Sequence, residues 1–424
     1  MGFIKSRLSF MMFFQYAVWG LWLPVLARYL QASAEDGGLG FSTGQVATIL
    51  GAASACGALT APFIGGQIAD RHISAEKLLA LLLLLGGVVK FWTAYQTSFT
   101  MWLVLSVVYS VLYQPALALT NSITFANIDN PDKDFPLIRV WGTIGWIAAS
   151  WVFSMLWLLT DLSPSALPPF FQGTEVPDVT HKLVDALKFS GGLAILYAGF
   201  CFMLPRTPPN KEDVDPLAFL KAFGLLRKPS FAVLMAACVP ISIIHQAYFV
   251  QTGPYFSEVL SMQDSYIGPA MTIGQFAEIA VMAALGFMLA RLGFRTTIAI
   301  GGSAYFLRYA IFGTVGLPIP IIVSSQALHG FCYACFFAVA YMYTDRIAPP
   351  DIRHSAQAVV SIILIGVGPI LSSPFLTVLS RVFLPEEGPH SYTGFWYTMA
   401  GIALITTVAF VALFRDETGA NDDG

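Results

Sequence analysis

Charge is what this sequence lacks. Only 11% of its 424 residues are Asp, Glu, Lys or Arg, less than half of the roughly 25% usual in soluble domains. Hydrophobic residues make up 56%. A chain of this size and composition has too little polar surface to be a soluble globular protein. The few charges nearly cancel, to a formal net charge of −3. No basic cluster stands out, which excludes nucleic-acid binding on electrostatic grounds. Cysteine is also scarce. Cys56, Cys201, Cys238, Cys332 and Cys335 all fall inside apolar runs, so they do not form an extracellular disulfide framework. Cys332 and Cys335 have the spacing of a redox or metal pair, but no second pair or acidic ligand accompanies them. They read as small packing residues. Metal triads, nucleophile elbows and phosphate-binding loops are missing, so nothing points to an enzyme, a metal or a cofactor.

What is present is a series of apolar runs long enough to cross a bilayer, which takes about 20 residues each. Twelve are found, near 9–31, 43–69, 76–96, 99–126, 136–160, 186–205, 230–257, 265–290, 296–315, 317–343, 355–383 and 392–414. The first resembles a signal peptide, but its run from Leu8 to Leu30 is longer than a signal core. The MGFIKS start matches a myristoylation pattern, which would add nothing to a chain anchored many times over. Pro240 and Pro254 make the seventh run a candidate for a bend. The most polar long connection follows the sixth run. It divides the chain into a six-span bundle over 1–205, a linker over 206–229 and a second six-span bundle over 230–424. Placing the N-terminus in the cytoplasm puts fifteen of the 22 Lys and Arg residues on the inside and five on the outside. The positive-inside rule therefore predicts cytoplasmic termini and a cytoplasmic linker, in a multi-pass protein of the cytoplasmic membrane.

Ionisable residues within spans cost about 2.5–3.5 kcal/mol on insertion scales and usually serve function. Well inside the runs lie Arg139, Glu278, Arg308, His245 and His329; Lys90 is near enough to an end to snorkel. In DFPLIRVWGTIGW, Arg139, Thr143 and Trp146 fall at i, i+4 and i+7, on one helix face. A guanidinium fork, a hydroxyl and an aromatic plate on one face suit a sugar- or nucleoside-sized ligand. The alternative is an arginine snorkelling to the interface beside a lipid-packed tryptophan. Gln275 and Glu278 are i and i+3 on the eighth span. Glu278 is the only carboxylate deep in any run and the leading proton carrier; a static ion pair is the alternative. His245, Gln246 and Phe249 lie on the seventh span, His329 and Tyr333 on the tenth. A lone histidine in a helix is commonly a packing residue, but several polar side chains converging in the second half favour a binding role. Arg308 reads as a structural pair or a snorkelling cation.

GGQIADR, between the second and third spans, holds Gly66, Asp70 and Arg71 in a G-x-x-x-D-R pattern, and Gly286, Arg291, Gly293 and Arg295 echo it between the eighth and ninth. This resembles the loop signature of the major facilitator superfamily. DFPLIRVWGTIGW, supported by FFQYAVWGLWLPVL, IGQFAEIAVM, LRYAIF and IRHSAQAVV, resembles the nucleoside:proton symporter family within it. The resemblance implies an all-α membrane protein of twelve helices in two six-helix bundles, which imports nucleosides with protons by alternating access as a monomer. It places Arg139, Thr143, Trp146, Gln246, Phe249, Gln275, Glu278, His329 and Tyr333 at the substrate, Glu278 at the proton, and Gly66, Asp70 and Arg71 in the gating loop. Phe249 stands where the family pattern has an amide, and His329 and Tyr333 where it has a tyrosine and a phenylalanine. A sugar:proton symporter of the same fold is the competing expectation.

Overall fold

A computed structural model describes residues 2–61, 64, 73–165, 171–208, 223–349, 352–385 and 389–417. The loop residues Gly66, Asp70 and Arg71, and most of the central linker, lie outside the described residues.

Every one of the twelve apolar runs carries helix. Ten described helices are long and apolar enough to span a membrane. The longest, Asp264–Gly313, is two rods meeting at Gly293, whose φ of 71° and ψ of 175° suit only a residue without a Cβ. It supplies the eighth and ninth spans. Ala75–Thr93 supplies the third. The first span is Gly2–Gly20 followed by Leu23–Gln31, and Pro24 sits in the first turn of the second piece, where a missing N–H costs nothing. The fifth span starts earlier than the apolar run suggests, at Pro131, because Asn130 caps it by accepting from the Lys133 amide at 3.2 Å. The seventh, Pro229–Glu258, runs unbroken through Pro240 and Pro254. Between the fifth and sixth spans is a feature that hydropathy did not register, a β-hairpin pairing Leu159–Pro164 with Phe171–Glu175.

The chain forms two compact units. One comprises residues 1–212 with 249–272, the other 213–248 with 273–424. Residues 249–272, the C-terminal end of the seventh span and the start of the eighth, cluster with the first unit because they are bonded to it. Asp264 accepts from Arg28 Nε at 2.8 Å and from Thr180 at 2.7 Å. Gln31 donates to the Val250 carbonyl at 2.7 Å, and Glu175 of the hairpin accepts from the Ser265 amide at 2.8 Å.

The core of the first unit gathers Leu8, Met11 and Met12 of the first span against Leu79, Leu83, Leu119, Ile123 and Tyr197. Water does not drive helix association in lipid, so close packing and small residues must. The first and fifth spans meet across glycines. A Cβ on Gly20 would lie 2.6 Å from the Trp146 carbonyl oxygen, and one on Gly145 would strike the Phe13 carbonyl. Gly145→Ala is therefore expected to destabilise the protein by about 1–3 kcal/mol through overpacking, read as a lower melting temperature of the purified protein in detergent. An unchanged melt would show that the two helices part without cost. In the second unit, a Cβ on Gly330 would press on Ala277 and the Glu278 amide, and one on Gly274 would meet the His329 ring. These contacts bring the eighth and tenth spans together where Gln275, Glu278 and His329 sit.

Candidate functional site

The glycine seam between the first and fifth spans sets the geometry of the first group. With the two backbones this close, side chains at the edges of the seam must face one another. The Trp146 indole packs edge-on against Trp19, centroids 5.2 Å apart at 73°. Trp146 is only 8% exposed, which rules out a lipid-facing role. About two turns away, the Arg139 guanidinium lies 4.1 Å over the ring of Tyr16. A cation held on an aromatic face gains about 0.5–2 kcal/mol and keeps its fork planar and oriented. Thr143, half-buried, lies between them on the same helix face. Tyr16 and Trp19 belong to FFQYAVWGLWLPVL, a stretch whose sequence carries only the family resemblance. Their i, i+3 spacing put them on one face, but only the crossing with the fifth span reveals which face. Phe249 also belongs to this unit and is half-buried.

The second unit holds Gln246, Gln275, Glu278, His329 and Tyr333. His329 is the centre of this group. It stacks on His245, centroids 5.5 Å apart at 15°, and on Tyr248 at 5.3 Å and 27°. His245 and Tyr248 are i and i+3 on the seventh span, so one helix face supplies both plates. The His245 Nδ1 pairs with the Tyr305 hydroxyl at 2.6 Å. Tyr333 stacks on Phe337 at 5.8 Å, and Phe337 touches His245 at 4.7 Å. Immediately after His329 the tenth span widens into a π-helical stretch, Cys332–Ala338. Such bulges are frequent at functional sites and rotate the side chains that follow. Nothing in the sequence marks it. Gln275 and Glu278 are both half-buried on the eighth span, and the Gln275 Oε1 is enclosed without a hydrogen-bond partner among the described residues. A buried amide oxygen left this way costs about 1–3 kcal/mol and is suited to a ligand donor.

One expectation, for Lys90, is corrected, and of the two readings of Arg308 the structural pair is the one found. Arg308 does not snorkel: it is 0% exposed. Its guanidinium lies 3.8 Å over the Tyr248 ring, and Nη1 is 2.9 Å from His329 Nδ1. Its charge is held by aromatic faces and an imidazole, and the residue is drawn inward by the tyrosines of the seventh and ninth spans. Lys90 does not snorkel either. It is 4% exposed, with Nζ 3.5 Å over Trp22 and 3.7 Å over Tyr109. The two rings come from the first and fourth spans, so their convergence could not be read from the sequence around Lys90. No cluster of His, Cys, Asp and Glu suited to a metal occurs among the described residues, and the five cysteines are free thiols.

Two bundles of apolar helices, each carrying buried polar side chains on its own helices, are the construction of a secondary transporter. The fold agrees: the chain superposes on a crystal structure of the nucleoside transporter NupG with a TM-score of 0.80 at 24% identity, over 97% of this chain and 99% of that one. A POT family transporter in complex with a thioalcohol-conjugated peptide also superposes, at a TM-score of 0.72 and 12% identity over 96% of this chain and 95% of that one. Residues 1–419 match the family described as Nucleoside H+ symporter. YegT of Escherichia coli (strain K12) is 32% identical over 97% of this chain and 94% of its own length. Nucleoside permease NupG of the same organism is 26% identical over 97% and 96%. The chain belongs to the nucleoside H+ symporter family. It is an integral membrane transporter of the major facilitator fold, not an enzyme.

Proposed function

We propose that this protein imports nucleosides together with protons across the cytoplasmic membrane, working by alternating access as a monomer with both termini inside. The observation that carries the reading is the face of the fifth span in a chain of this family. Arg139, Thr143 and Trp146 present a fork, a hydroxyl and a ring on one helix, with the fork braced by Tyr16 and the ring by Trp19. A nucleoside offers hydroxyls, carbonyls and a flat base, which are the partners these three groups require. Gln246, Gln275, His329 and Tyr333 supply polar contacts from the second unit, with Phe249 as an apolar one. Glu278 carries the coupled proton. The two six-span halves of the sequence, 1–205 and 230–424, move about the linker 206–229, with Gly66, Asp70 and Arg71 in the cytoplasmic gating loop.

The deciding experiment is uptake of labelled uridine into proteoliposomes, with and without an inward proton gradient. Saturable uptake that rises with the gradient is the expected result, and a sodium gradient alone should not replace it. No uridine uptake, with competition by a disaccharide instead, would move the substrate to sugars.

A further inference from the structure

Arginine can only donate hydrogen bonds, because its guanidinium keeps all five N–H groups at any accessible pH. Arg308 Nη1 lies 2.9 Å from His329 Nδ1. Nδ1 must therefore accept, and the hydrogen of this imidazole resides on Nε2. The ring orientation follows from its surroundings. On its other edge, Cδ2 faces Gly274, where an added Cβ would come within 3.1 Å. Turning the ring over would set a carbon against the guanidinium and abandon the hydrogen bond. The plane is fixed as well, by His245 and Tyr248 stacked against it. Arg308 is itself immobilised, 0% exposed and seated on Tyr248 at 3.8 Å, with Tyr309 at 5.3 Å. Its Nε and Nη2 have no hydrogen-bond partner among the described residues, so the bond to His329 is the principal polar interaction of a deeply buried cation. A buried arginine in such a position is an expensive way to pack a helix. It is an effective way to set the polarity of a neighbour.

We propose that Arg308 is a positioning residue for substrate recognition: by donating to His329 Nδ1 it fixes His329 as an Nε2–H donor, which selects a hydrogen-bond acceptor on the nucleoside, a base carbonyl or an unprotonated ring nitrogen. This rests on the reading that His329 faces the nucleoside. It also separates the duties of the second unit. While Arg308 occupies Nδ1, His329 is committed to donating and Glu278 is left to carry the proton.

The test has two arms on the full-length protein in lipid nanodiscs or proteoliposomes. In the first, histidine is labelled with 15N and the His329 signals are assigned by their loss in His329→Gln. The expected spectrum has an unprotonated Nδ1 and a protonated Nε2, unchanged in Arg308→Lys, which still offers a donor, and a mixture of tautomers in Arg308→Met. In the second, uridine uptake is compared in His329→Gln and His329→Asn. The glutamine amide reaches the Nε2 position and the asparagine amide the Nδ1 position. His329→Gln is expected to keep KM within a few fold and His329→Asn to raise it about tenfold or more, the size of one lost hydrogen bond. A protonated Nδ1 in the wild type, or the same tautomer with and without Arg308, would overturn the positioning role. The predicted tautomer with equal KM in the two His329 variants would overturn the recognition role. Wild-type protein that shows the tautomer but transports no nucleoside would overturn the functional reading while the arginine–histidine assignment stood.

Discussion

Glu278→Gln is expected to abolish proton-driven accumulation of nucleoside while leaving exchange of nucleoside across the membrane intact. The carboxamide keeps the shape and the hydrogen-bonding reach of the protonated acid but has no proton to release. The position is well chosen for a carrier. Glu278 lies near the middle of the eighth span, half-buried, with its backbone amide against Gly330 of the tenth. A carboxylate within a membrane-spanning helix is costly to place there and usually serves function. One-for-one coupling to a gradient of about one pH unit supports about a tenfold accumulation, since 1.4 kcal/mol is a factor of ten. The variant should fall to no accumulation at all in gradient-driven uptake, and should still exchange labelled for unlabelled uridine at equilibrium. Undiminished accumulation would remove Glu278 from the coupling mechanism. Loss of exchange as well as accumulation would make it a structural or substrate-binding residue.

The membrane architecture was legible because it follows from composition and run length alone. Each apolar run carries helix, and the break at Gly293 falls between two of them. The fifth-span face was legible because i, i+4 and i+7 is a local relation. What the sequence withheld depends on which helices cross. Lys90 sits where snorkelling is the default reading, and only the arrival of Trp22 and Tyr109 from other spans makes it a buried, ring-sandwiched cation. Arg308 stayed open between pairing and snorkelling for the same reason: its partners Tyr248 and His329 lie on the seventh and tenth spans. The hairpin between the fifth and sixth spans escaped because hydropathy weighs apolarity, and its residues are mostly exposed and polar. The allocation of residues 249–272 to the first unit was beyond reach too. It rests on Asp264, which in the sequence is one acid among several at the edges of spans.

Asp264→Ala is expected to produce the largest loss of stability of any single substitution in the first unit. Asp264 receives Arg28 Nε and the Thr180 hydroxyl, and the side chains of the ion pair are 13% and 5% exposed for Arg28 and Asp264. Removing one partner of a buried pair strands the other, at about 3–5 kcal/mol. The alanine variant would leave a guanidinium and a hydroxyl without their acceptor. Asp264→Asn should cost less, because its carbonyl oxygen can still accept from Arg28. The double variant Arg28→Ala, Asp264→Ala should recover part of the loss, since no charge is then left buried; that non-additivity distinguishes a paired interaction from two independent sites. The damage should be local. Residues Phe249–Glu258 are tied to the first unit through Gln31 and Val250 and through Thr43 and Gln251, and Ser265 through Glu175. Their amides should exchange faster in Asp264→Ala, while those of the second unit keep their protection. Labelling gives a second readout. A loss of about 3–5 kcal/mol corresponds to a roughly hundred- to several-thousand-fold larger population of the locally opened state. Cysteines placed at Val250 and at Ser265 should therefore label faster in Asp264→Ala than in the otherwise unaltered protein. Equal melting temperature, equal exchange and equal labelling would show that Arg28 and Asp264 meet without holding anything in place.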